Sequence, residues 1–185
     1  MEVGTEVTLG LESNLAVATS PLSGRRELPL DAKETVVASG ASGINGIVIT
    51  SRRLLGFSSR TFTWSTHKLD LHEQVFERKI LPAFSLVRTD RHLYGFRAAN
   101  GVWLEESLGV QEKVSRLHSN DYGAVFITNE RVIGFTPLLG SFASKPLDIH
   151  ERLVGIENKD GVILVSTTRR TLVLGSRLSG WEEFE

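Results

Sequence analysis

The chain has 185 residues, 21 Lys+Arg against 22 Asp+Glu, a formal charge of −1, 41% hydrophobic residues and no cysteine. That balance is enough for a packed core and excludes a disordered chain. It also excludes a disulfide scaffold, cysteine zinc ligands and a cysteine nucleophile, and it argues against a dedicated nucleic-acid binder.

The first four residues, Met-Glu-Val-Gly, form no basic segment leading into an apolar one. No signal peptide is expected, and a cytoplasmic location follows as an expectation. Residues 7–11 read as a strand, and residues 39–45 as a Gly/Ser loop. The runs Ile47-Val48-Ile49 and Leu54-Leu55 flank a two-residue turn at Ser51-Arg52. Residues 73–80, 84–89, 92–97 and 102–108 then read as four strands, with breaks at Leu81-Pro82-Ala83, Asp90-Arg91 and 98–101. The pattern returns with Val125-Phe126-Ile127, Asn129-Glu130 and Val132-Ile133. It returns again with Ile163-Leu164-Val165, Thr168-Arg169 and Leu172-Val173-Leu174. Short β-rich runs between regularly spaced turns specify an all-β chain. No amphipathic helix is expected, and no apolar run is long enough to span a membrane.

The spacing is a 39-residue repeat without insertions. Leu30, Leu69, Leu108 and Leu147 keep the step. So do Glu34, Glu73, Glu112 and Glu151, and Thr50, Thr89, Thr128 and Thr167. Trp64, Trp103, Phe142 and Trp181 form an aromatic ladder, and Gly56, Gly95 and Gly134 a glycine one. Seven ladders in one register mark a repeat architecture. The approximate repeats are 1–33, 34–72, 73–111, 112–150 and 151–185, treated as one domain. Five full repeats need ten residues more than the chain holds. One sheet is therefore expected to be a strand short, with both chain ends contributing to it. Middle strands that are continuously apolar imply cover on both faces, as in the blade of a β-propeller. The glycine ladder implies close approach by a bulky side chain, the recurring Trp or Phe of the same or the next blade.

Leu69-Asp70-Leu71-His72, then Val75, two strands and Trp103 resemble a WD-repeat blade in the order His, Val, turn, Trp. His fills its slot only at His72 and His150, and no Asp follows the Trp. The resemblance implies a small five-bladed β-propeller-like repeat domain with one incomplete blade. A second resemblance, carried by Ile127-Thr128-Asn129-Glu130-Arg131 and a super-period of 78, is to tandem bacterial pleckstrin-homology-like domains.

The polar ladders carry two readings each. Glu34, Glu73, Glu112 and Glu151 either ring a cation or cap turns and pair with basic residues of neighbouring blades. Arg53, Arg131 and Arg170, with His92 and Asn14, form the ladder that supplies such partners. A feature present in nearly every repeat belongs to the fold, so the second reading is preferred. Asp31, Asp70 and Asp148 are expected to tighten the turn before each blade. The aromatic ladder reads as packing between blades, or as a set of stacking surfaces for a glycan. No metal-binding motif, P-loop, dinucleotide fingerprint or nucleophile elbow is present, so no catalytic residue, metal or cofactor is assigned.

Residues that differ between repeats are free to serve function. Arg88, Asp90, Arg91 and His92 form one polar cluster beside Tyr94. Arg116, His118, Asn120, Asp121 and Tyr122 form another. These are the candidate partner-binding residues of a non-catalytic scaffold for protein–protein interaction. Homodimerisation through an unpaired blade edge is a further expectation.

Overall fold

The computed structural model describes residues 2–3, 6–175 and 180–184, the first two by backbone alone. Among them there is no helix, and five four-stranded antiparallel sheets follow one another along the chain. The first contains β1 (Glu2–Val3), β2 (Thr8–Glu12), β3 (Leu15–Ser20) and β4 (Gly24–Pro29). The second contains β5 (Val36–Ser42), β6 (Asn45–Thr50), β7 (Arg53–Ser58) and β8 (Thr63–Lys68). The third contains β9 (Val75–Ile80), β10 (Phe84–Thr89), β11 (His92–Arg97) and β12 (Val102–Ser107). The fourth contains β13 (Val114–Asn120), β14 (Gly123–Thr128), β15 (Arg131–Phe135) and β16 (Ala143–Pro146). The fifth contains β17 (Leu153–Lys159), β18 (Val162–Thr167), β19 (Thr171–Gly175) and β20 (Trp181–Phe184). Each sheet is a simple meander, which makes the chain an all-β, propeller-like repeat protein.

Two compact units divide the chain, Met1–Glu105 and Glu106–Glu185. In the first unit, Val7, Leu9, Ala16 and Ala18 pack on Val48, Leu55 and Phe57. The other face of the second sheet offers Ile47, Ile49 and Leu54 to Val87, Tyr94 and Phe96. In the second unit, Val125, Ile127 and Val132 pack on Ile163, Val165, Leu172 and Leu174. Strands β6 and β14 are buried at every residue because both faces are covered. The fifth sheet departs from that pattern. In β18, Ile163 and Val165 are buried, while Val162, Leu164 and Ser166 are half-buried. The alternation of buried and half-buried residues shows that one face is less fully covered.

The expected shared terminal blade is not formed. The first and fifth sheets are separate and each has four strands. The shortfall falls on the first strand, where β1 has two residues and β5 has seven. The strand position proposed to be vacant for a dimer partner is therefore filled. The Gly/Ser segment at 39–45 is also not a loop, since β5 and β6 run through it with only two residues between them. Gly43 turns there with φ of 51°, hard against the backbone of Pro82. Asn45, fully buried, donates to the carbonyl of Leu81 at 2.6 Å.

The glycine ladder has the predicted meaning. A Cβ on Gly56 would lie 2.5 Å from the ring of Phe96, the phenylalanine of the next blade. At Gly134 it would meet Leu174 and Trp181 at 2.9 Å.

Candidate functional site

The Glu ladder proves to be a set of buried clamps. Glu34 Oε2 accepts the N–H of Asp31 at 2.9 Å, and the same bond joins Glu73 to Asp70, Glu112 to Gly109 and Glu151 to Asp148. The carboxylate thus caps the turn that leads into its blade. Asp was expected to do so, but only its backbone is used, and for that reason Gly109 serves equally well. Arg53 grips Glu34 through Nε at 2.8 Å and Nη2 at 2.7 Å. Arg131 grips Glu112 and Arg170 grips Glu151 in the same two-pronged way. The partner belongs to the same sheet as the turn, not to a neighbouring one. Its Nη2 also reaches back to the last strand of the preceding blade, at the carbonyls of Pro29, Ser107 and Pro146. One arginine therefore ties two consecutive sheets together.

Burial opposes ionisation of these carboxylates. The arginine, the threonine hydroxyl and the backbone N–H outweigh it and hold Glu34 and Glu151 down to about 2. Glu73 and Glu112 are lowered as well. A carboxyl whose folded value lies below its unfolded one stabilises the fold above the unfolded value and loses that effect as pH falls through the folded one. The urea midpoint should therefore hold near neutrality and drop steeply between pH 4.5 and about 2. Each carboxylate contributes at most about 3 kcal/mol. A midpoint that stays flat across that window would contradict the clamp.

The aromatic ladder is structural in the same sense. Trp181 donates its indole N–H to the carbonyl of Ala143 at 2.8 Å, and Trp103 donates to Ser65 at 3.4 Å. The rings lean on the buried phenylalanines, Trp64 on Phe57 at 5.4 Å and Trp103 on Phe96 at 5.0 Å. Phe142, which has no N–H, packs on Phe135 at 5.1 Å.

The two predicted polar clusters are differently arranged. Arg88 turns away from the others. Its guanidinium lies 5.6 Å from the centre of the Phe76 ring, with Nε 3.3 Å from Glu77. Asp90 accepts the N–H of Gln74, and Arg91 lies 3.9 Å from Asp70. His92 points inward, between Glu73 and Glu105. In the second cluster, His118 and Asn120 meet on Asn158 Oδ1, at 3.0 and 3.1 Å. Asn120 also accepts the N–H groups of Tyr122 and Gly123, which fixes the turn. Arg116, Asp121 and Tyr122 are exposed.

One recurring feature of the candidate surface was not anticipated. The first strand of each of the last four sheets carries a bulge, at Val36/Ala38, opposite Arg88/Thr89, at Val114/Arg116 and at Leu153/Gly155. The residue bulged out is Val37, Phe76, Ser115 or Val154. A bulge redirects a side chain that would otherwise alternate inward. Val37 is 60%, Phe76 59% and Val154 68% exposed. Between β5 and β9 these side chains line a groove of about 530 Å³ that also takes in Arg78 and Lys79. The 39-residue step from Val37 to Phe76 to Val154 was a legible signal, but only the bulge shows which way the side chains face.

No family model and no curated protein matches the sequence. The fold is similar to that of solved β-propeller chains. Prp20p of Saccharomyces cerevisiae is 9% identical, with 94% of this chain covered, 56% of that chain and a TM-score of 0.47. The N-terminal domain of Nup159 is 9% identical, with coverage of 97% and 58% and a TM-score of 0.40. YCF48, solved with a D1 peptide, is 14% identical, with coverage of 100% and 69% and a TM-score of 0.38. The chain spans a little over half the length of the first two.

Proposed function

We propose that this chain is a non-catalytic protein-binding module that takes an extended acidic and apolar segment of a partner in the groove between β5 and β9. The bulged, outward-facing Phe76 beside Val37 is the observation that carries this reading. Both strands are at the edges of their sheets, so their outer backbone groups can add hydrogen bonds to an extended peptide. Arg78, Lys79 and Arg88 outnumber Glu77, so the groove favours an acidic partner. An exposed aromatic beside basic residues is the composition of a binding hot spot.

The test is fluorescence polarisation with labelled octapeptides that pair one Phe or Leu with Asp and Glu, compared with the same peptides carrying Lys. The acidic peptides should bind, more weakly as salt is raised. Phe76→Ala and Lys79→Glu should each weaken binding about tenfold or more with the melting temperature unchanged. Equal binding of acidic and basic peptides, or indifference to Phe76→Ala, would reject the proposal.

A further inference from the structure

The third sheet departs from the clamp pattern in a way that leaves three donors over. Where the other clamps have Arg53, Arg131 and Arg170, this one has His92. Its Nδ1 lies 3.0 Å from Glu73 Oε1, so the ring replaces only one arm of the arginine. The other arm is replaced by the Tyr94 hydroxyl, which donates to Glu73 from 3.0 Å. Leu55, Ile133 and Leu172 stand at the equivalent position in other repeats. With Thr89 and the N–H of Asp70 added, the Glu73 carboxylate is fully engaged. The clamp is complete without His92 Nε2.

That nitrogen lies 3.2 Å from Glu105 Oε1, and His67 Nε2 lies 3.0 Å from Glu105 Oε2. Both imidazoles rest on the Tyr94 ring, at 5.6 and 4.9 Å between centres. We infer that His67, His92 and Glu105 form a binding site for a divalent transition metal such as Zn²⁺, with Glu73 as the carboxylate that orients His92 from behind.

The donor chemistry supports this. Two imidazoles and one carboxylate suit zinc, cobalt or nickel rather than calcium or magnesium. Adjacent ligands on a metal with bonds of about 2.1 Å stand roughly 3 Å apart, which is the spacing of each imidazole nitrogen from its carboxylate oxygen. A ligating histidine usually gives its second N–H to a carboxylate, which fixes its ring and tautomer. Buried Glu73 already holds His92 Nδ1 in that way. The side chains of His67, His92 and Glu105 are 27%, 13% and 39% exposed, so a metal can enter from solvent and keep open positions. Asp70, Glu73 and His92 also converge, with ligand atoms within 4.8 Å. Glu73 has no free lone pair there, so the cation belongs on the Nε2 side.

The test is a titration of the full chain with Zn²⁺ by calorimetry and with Co²⁺ by visible absorption. One metal should bind saturably and raise the melting temperature. His92→Arg rebuilds the clamp of the other repeats and should stay folded while losing metal affinity at least about a hundredfold. His67→Leu should lose it too, and His118→Ala should not. Absence of saturable binding, or undiminished affinity in folded His92→Arg, would overturn the inference. A loss of affinity confined to His118→Ala would place the metal elsewhere and overturn it equally.

Discussion

Replacing Glu151 with alanine should destabilise the fold by about 3–5 kcal/mol, the largest effect expected from any single charged residue. The Glu151 side chain is fully buried and receives the Arg170 guanidinium through two bonds of 2.9 Å. It also receives the Thr167 hydroxyl at 2.7 Å and the N–H of Asp148 at 2.9 Å. Truncation leaves a largely buried cation and a turn N–H without their acceptor. The cost is therefore mainly that of stranded partners, not the net worth of the pair. The double change Glu151→Leu with Arg170→Leu should consequently cost less than the sum of the two single changes. Glu182→Ala, at an exposed position of β20, should stay within about 0.5 kcal/mol of the parent. Urea unfolding at neutral pH measures all four. Additive losses in the pair would show that the clamp is not a coupled unit.

The second large effect lies where Phe96 meets Gly56. Phe96 is fully buried, and its ring would touch any Cβ placed on Gly56. Phe96→Ala should cost about 3–5 kcal/mol through lost burial and the remaining cavity. Gly56→Ala should cost about 1–3 kcal/mol by overpacking. The two changes compensate in volume, so Gly56→Ala should cost less in the Phe96→Ala background than alone. Equal costs in both backgrounds, read by the same urea titration, would mean that the two blades do not interlock at this point.

Much of this architecture was legible because the repeat holds a constant step. The residues read as strands at 84–89 and 92–97 are the observed β10 and β11, since their turn residues and apolar runs recur at fixed offsets. The Glu and Arg ladders were both visible. Their pairing within one sheet was not, because it depends on how a turn folds back 19 residues before the arginine. The missing strand was also counted correctly from length, but its place was not. Length alone cannot say which end of a repeat array is truncated, and β1 supplies the answer. Among the candidate residues, His92 was singled out for its difference from the ladder, and the structure gives that difference a chemical setting. Its neighbours His67 and Glu105 lie on separate outer strands, and nothing local in sequence brings them together. Phe76 escaped notice because an apolar residue in a strand reads as core until a bulge turns it outward.

The most direct measurement of the binding proposal is hydrogen–deuterium exchange on the full chain with and without the tightest acidic octapeptide. Protection should rise in Val36–Ser42 and Val75–Ile80, the strands β5 and β9 that border the groove, and should be absent from the turn tips at Leu71, Val110 and Ile149. Protection confined to other sheets, or none at saturating peptide, would contradict the assignment of this groove as the binding surface.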